Sequence, residues 1–266
     1  ACEKVELQKK YTVLFSDNKR PFAPTSIAFA HDGGLYAADA STGKIHRFDS
    51  AGNAIVSSSS GASGRLPGLE GIARSMSFAL YAVDTEARRL LSFSDNLANA
   101  VSVTIDNSLR FANFRPFAIT VSKNGIVYVT DMEEGEMVTV TSDGAITTFF
   151  KESVSGKRGK FKPVAVVARE NILVADAATD KIVVFDRFGN SIRSFGDSLG
   201  VTKHGIAIVD SLLFVSSHRL KCLFGFTVDG IPFDTLFFVG DSADSFEPGA
   251  LASERNKLAV VNNVDK

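Results

Sequence analysis

Only two cysteines, Cys2 and Cys222, occur in the 266 residues. They are too few for a disulfide scaffold and lack the CxxC spacing of a zinc site. Their scarcity points to free thiols and a cytoplasmic compartment. No uninterrupted apolar run approaches the ~18 residues of a membrane-spanning helix, so no membrane partner is expected. Neither sign of charge dominates: 29 basic and 30 acidic residues leave a formal net charge of −1. Overall charge therefore does not advertise nucleic-acid binding, and any such affinity must come from local clustering. Nothing else resembles a targeting signal. Ala1-Cys2 fits the scar of a processed lipoprotein leader, but the missing initiator methionine fits equally a domain excised from a larger protein, which is the expectation.

What is present is a repeat. The segments YAAD (36–39), YAVD (81–84), YVTD (128–131), LVAD (173–176), FVSS (214–217) and AVVN (259–262) end at positions 39, 84, 131, 176, 217 and 262. The steps between them are 45, 47, 45, 41 and 45 residues, a period that belongs to propeller blades or solenoid units. The fourth unit shows the internal order most clearly. Phe161-Lys162-Pro163 leads into VAVVA (164–168), a polar turn, ILVAD (172–176), KIVVFD (181–186), a turn at 187–190, and SIRSF (191–195). Short β-branched and aromatic runs between turn residues read as strands, so each unit is a four-stranded meander with strands a to d. HDGG (31–34), KNG (123–125), SDG (142–144) and FGN (188–190) supply the hairpin turns.

Four strands in each of six units predict one domain, residues 1–266, folded as an all-β, six-bladed β-propeller. The sixth unit offers only two strands after Pro248, while Lys4 to Leu7 and Tyr11 to Phe15 are unassigned. The N-terminal strands are therefore expected to complete the last blade and close the ring. A column of small residues, Ser26, Gly71, Ala118, Ala165, Gly205 and Ala250, opens the innermost strands, where bulk would clash. The aspartate column at 39, 84, 131 and 176 recurs too regularly for catalysis and is read as a structural turn cap.

The order F-x-P, small residue, apolar strand, (V/A)-x-D, K-I-x-x-F-D and a glycine turn resembles the NHL repeat. Residues 161–190 match it best and 22–53 nearly as well. Units two and five drift, with Leu69 and Lys203 in the proline column and Ser217 in place of aspartate. The absence of tryptophan speaks against WD40 blades, and no kelch-like double glycine recurs. The resemblance to the NHL propellers of tripartite-motif regulators implies binding of protein partners or of single-stranded or hairpin RNA, as in post-transcriptional regulation. NHL propellers also include adaptor proteins and an amidating lyase, and related six-bladed folds include lactonases. Fold alone does not choose among them.

In such a blade the start of strand a, the d-to-a connection and the b-to-c loop lie at one end. That rim carries Thr25, Glu70, Phe117, Val164, His204 and Gly249 beside the small column. Arg115, Lys162 and Lys203 occupy equivalent or adjacent positions in three successive units, near Arg158, Lys160 and Arg219. Cations interleaved with Phe117 and His204 suit an unstacked, phosphate-rich strand, and an acidic protein partner equally. Glu70, Glu133, Glu134, Glu136, Asp180 and Glu247 are acidic counterweights near the same rim. A zinc site would need several histidines on one face, but His31 falls in an a-to-b turn at the other end and His46 within strand c. The expectation is a monomeric, non-catalytic recognition module with no metal and no cofactor. The alternative is a propeller hydrolase or lyase with a channel-mouth site.

Overall fold

Successive strands pair in chain order, as the meander pattern predicts. The structure is a computed structural model describing residues 22–58, 65–98, 100–103, 113–141, 145–151, 161–237 and 247–263. Blade one comprises β1 (Pro24–Phe29), β2 (Leu35–Asp39), β3 (Lys44–Phe48) and β4 (Ala54–Ser57). Blade two comprises β5 (Leu69–Arg74), β6 (Leu80–Asp84), β7 (Arg89–Phe93) and β8 (Ala100–Val103). β9 (Ile119–Val121), β10 (Val127–Asp131), β11 (Glu136–Val140) and β12 (Ile146–Lys151) make blade three. Blade four is β13 (Pro163–Ala168), β14 (Ile172–Asp176), β15 (Lys181–Phe185) and β16 (Ser191–Phe195). Blade five is β17 (Val201–Val209), β18 (Leu212–Ser217), β19 (Cys222–Thr227) and β20 (Pro232–Phe237). The last unit is the pair β21 (Pro248–Glu254) and β22 (Lys257–Asn262).

The chain is thus an all-β propeller, with no helix among the described residues. Five blades are four-stranded, rather than the six that the repeat count predicts, and the sixth unit shows a two-stranded sheet. The shortfall falls at the unit whose sequence runs out after strand b. The segments expected to complete it, Lys4 to Leu7 and Tyr11 to Phe15, lie outside the described residues. The innermost strands pack in a cycle, β1 on β5, then β9, β13, β17, β21 and back to β1.

Burial falls from the axis outward. In blade four β14 is buried at every position, whereas β16 is mostly exposed. The apolar core accordingly lies between neighbouring blades. Tyr36 and Ile45 of blade one pack with Leu69, Leu80, Leu91 and Phe93 of blade two, and blades three to five share one larger cluster.

Two recurring polar contacts hold the inner strands. In the first, the aspartate ending strand b accepts the amide that leads into strand a: Ala23 to Asp39 at 3.0 Å, Gly68 to Asp84 at 3.1 Å, Arg115 to Asp131 at 2.7 Å, Lys162 to Asp176 at 2.7 Å. The same carboxylates accept amides of the following turn, from Ser41, Ala87, Glu133 and Ala178. Asn262 does the equivalent work in the sixth unit, accepting the Glu247 amide at 2.9 Å. All four aspartates are buried, and each accepts amides from both the entry to strand a and the following turn, so the turn-cap reading holds. In the second contact a hydroxyl bonds the carbonyl at the proline position of the next blade: Thr25 to Leu69 (3.0 Å), Thr85 to Pro116 (2.6 Å) and Thr130 to Pro163 (3.1 Å).

The a-to-b turns of blades one, two and three share one hydrogen-bond pattern, closing Ala30 on Gly34, Ser75 on Ala79 and Ser122 on Ile126. The third turn residue is left-handed in each, at Gly33 (φ 84°), Phe78 (φ 67°) and Gly125 (φ 81°). An L-residue there costs about 1–2 kcal/mol.

Replacing Asp176 with alanine removes the acceptor of two part-buried amides and is expected to lower unfolding stability by about 1–3 kcal/mol. Asp176→Asn, which imitates Asn262, should lose less than half as much in urea denaturation. Equal losses would show that the carboxylate charge, and not its acceptor geometry, holds the turn.

Candidate functional site

The aspartate caps deliver one residue per unit to the channel mouth, and blade five departs from the pattern. Ser217 stands where aspartate is usual, and Thr202 Oγ1 instead accepts the His218 amide at 2.9 Å. The β17–β18 register then jumps from Val201↔Ser217 to Ile206↔Val215. Within that bulge His204 adopts φ 54°. Gly205 follows, and a Cβ there would lie 1.9 Å from Ser216 Oγ.

This irregularity brings Lys203, His204, Phe117 and Glu70 together. The His204 ring stacks on Phe117 with centroids 5.1 Å apart and planes at 23°. Lys203 Nζ lies 5.2 Å from the centroid of the same phenyl ring, a cation–π distance. His204 Nε2 stands 3.8 Å from Glu70 Oε2, too long for a hydrogen bond, and is buried without a hydrogen-bond partner. Phe117 and His204 are 2% and 8% exposed, so neither ring presents an open face to a nucleobase. Blades two, three and five thus close the mouth with their own side chains.

The other described rim cations are dispersed, and most of them are matched with acids. Arg115 pairs with Glu133 at 3.2 Å, and Arg219 reaches Asp180 at 3.3 Å and the Ser198 carbonyl at 2.8 Å. Lys181 pairs with Asp197 at 2.9 Å, and His218 and Lys221 both stand 3.8 Å from Glu247. Lys162 is exposed, its backbone amide held by Asp176. Arg158 and Lys160 lie outside the described residues. The rim is therefore a surface of alternating charge. Its cation–carboxylate pairs were not legible in the sequence; the column alignment offered the one signal, since it sets Glu70 and His204 at equivalent positions three units apart.

Two cap aspartates carry opposite shifts. Burial raises the Asp39 carboxyl, but hydroxyls of Thr42 and Ser41 and the amides of Ala23 and Ser41 outweigh it and hold the group below the usual range. At Asp131 burial wins: the group is raised despite amides from Arg115, Glu134 and Glu133, and the Glu134 charge adds to the rise. The difference follows from sequence, Ser41 and Thr42 against Glu133 and Glu134. No cluster of three potential metal ligands occurs among the described residues. Cys222 is buried, and burial pushes its thiol up, which makes it unreactive.

No protein-family model matches the chain. No curated protein matches it either. Solved structures do. A catalytically inactive virginiamycin B lyase from Staphylococcus aureus, with quinupristin, is 14% identical over 93% of this chain and 80% of its own, with a TM-score of 0.69. A chain from a nidogen–laminin complex is 15% identical over 81% and 80%, with a TM-score of 0.67. A Bacteroides thetaiotaomicron protein of unknown function is 12% identical over 91% and 67%, with a TM-score of 0.71. At such identities the likeness establishes a propeller and nothing finer.

Removing the buried ring in Phe117→Ala is expected to cost about 3–5 kcal/mol of stability, whereas Lys162→Ala should stay within about 0.5 kcal/mol. Thermal melting of both separates a packing role from a surface one. Grafting the blade-one pair into blade three, Glu133→Ser with Glu134→Thr, should lower the Asp131 pKa. A carboxyl raised in the folded state opposes folding once ionised, and that penalty disappears below its unfolded pKa. The variant should therefore gain of order 1 kcal/mol at neutral pH and lose the advantage on acidification, as urea titrations across pH would show.

Proposed function

We propose that the chain is a non-catalytic recognition module of NHL type that binds a protein partner through the d-to-a rim. The observation that carries this reading is the alternation of charge there, with Arg115 beside Glu133, Arg219 beside Asp180, and His218 and Lys221 beside Glu247. A phosphate backbone gains its affinity from cations that neutralise it and release counterions, and carboxylates at this spacing oppose it. A protein surface can match both signs, which sets register and suppresses wrong partners. Exposed Lys162 and Lys203 leave the acidic segment of such a partner two contact points. The nidogen–laminin neighbour is a propeller fold crystallised in a protein complex, in keeping with this use of the fold.

The second reading, a hydrolase or lyase with a channel-mouth site, draws on His204 facing Glu70 and on the lyase neighbours. It requires substrate to reach His204 Nε2, an atom that is buried. RNA recognition is the other alternative.

The test is the triple variant Arg115→Glu, Lys162→Glu, Lys203→Glu beside wild type, both verified as folded. Affinity capture with crosslinking should recover a protein from wild type that the variant loses. Anisotropy with a pool of short single-stranded RNAs should show weak binding without base preference. Sequence-selective, steeply salt-dependent RNA binding that vanishes in the variant would replace the protein reading with an RNA-reading one.

A further inference from the structure

At the opposite end of the ring, blade two breaks a turn rule that its neighbours keep. Phe78 occupies the left-handed position that Gly33 and Gly125 fill in blades one and three. A Cβ built at either glycine meets nothing within 4 Å, so this position faces open space. Leu97 makes the same departure in the c-to-d turn of blade two (φ 59°), where other blades have Gly52, Gly189 and Gly230. Leu97, however, is 2% exposed and packs into the cluster with Leu91 and Phe93, so its backbone strain is offset inside the fold. Phe78 is 52% exposed, and Met76 beside it is 71% exposed. The fold gains little from that ring.

Phe78 borders a groove of about 380 Å³ with Phe93 and the exposed Val101 on its walls and Ser92, Ser94 and Asp95 at its polar edge. The charge beside it is acidic. Asp32 and Asp95 share one guanidinium, Arg47, at 2.8 and 3.3 Å. His31 lies edge-on to Phe78 at 4.9 Å, its Nδ1 3.6 Å from Asp95. Tyr36 donates its hydroxyl to Asp95 Oδ1 at 2.5 Å, fixing that carboxylate. An apolar slot next to two carboxylates that share a single cation calls for an occupant that is apolar and cationic.

We propose that this groove, on the a-to-b face of blade two, docks an extended peptide segment of a protein partner carrying an aromatic or branched aliphatic side chain next to a lysine or arginine. The apolar side chain enters between Phe78 and Val101, and the cation faces Asp32 and Asp95. An exposed aromatic side chain at the edge of an apolar slot is the kind of residue enriched at the core of such interfaces. Because this face is opposite the d-to-a rim, the docking site is separate from the one proposed above and stands whether or not that rim binds protein.

The test selects displayed random peptides on the whole protein, with counter-selection on Phe78→Asn, since asparagine tolerates the left-handed backbone. Enriched peptides should pair an apolar residue with an adjacent base, and lose at least about tenfold in affinity for Phe78→Asn and for Asp32→Asn. The Tm of Phe78→Asn and Phe78→Gly should match or exceed that of wild type. A fall in Tm of more than about 3 °C in both would show that the fold needs the ring. Failure to enrich peptides, or peptides indifferent to both substitutions, would overturn the site. So would binding to phosphatidylserine vesicles that depends on Phe78, which would make it a lipid contact.

Discussion

One contact organises the molecule: a side-chain oxygen at the end of strand b takes the amide that opens strand a. It fixes where the chain enters the inner ring and so which residue each unit sends to the channel mouth. Asp39, Asp84, Asp131 and Asp176 make it, and Asn262 makes it without charge. Blade five shows what changes when the residue is serine. Thr202 Oγ1 on strand a accepts the His218 amide that follows strand b, the backbone bulges, and His204 turns left-handed toward Glu70 and Phe117. The unit with serine in the cap column sends His204 to the mouth, where it meets Phe117 of blade three and Glu70 of blade two.

The hydroxyl-to-carbonyl contacts between blades depend on that entry point. The proline-position carbonyl meets its neighbour's threonine only when strand a starts at a fixed height. Proline suits the position because it has no amide to satisfy and leaves the carbonyl as its sole polar group. Leu69 in blade two accepts from Thr25 just as well, which explains why drift in the proline column leaves the blade intact.

Strand order, turn positions and the structural role of the aspartates were legible because each rests on local chemistry repeated several times. The count of complete blades was not: the repeat predicts six, and the described residues of the sixth unit form only two strands. The d-to-a rim was legible only as a list of charges. Arg219 and Asp180 are 39 residues apart, and no periodicity reports that they meet. Phe117 reads as a rim aromatic, but the neighbouring blades bury its ring. The missing glycine in blade two was visible in MSFA (76–79) against HDGG (31–34), yet only exposure distinguishes Phe78 from the equally left-handed Leu97.

Arg74 at the end of β5 bonds the Phe29 carbonyl at 2.7 Å and Glu254 of β21 at 2.8 Å, joining units one, two and six. Its two partners lie on opposite sides in chain order, and Glu254 is 180 residues downstream. At ~5–20 residues per second, a ribosome adds Glu254 roughly 9–36 s after Arg74. Through that interval the first blade has its inner strand made but no sixth unit to lie against, and the nascent chain is an open arc with an apolar flank at its leading end. Closure of the ring is thus an event in time as well as in space, and the exposed flank of the arc is the surface that a chaperone would meet first.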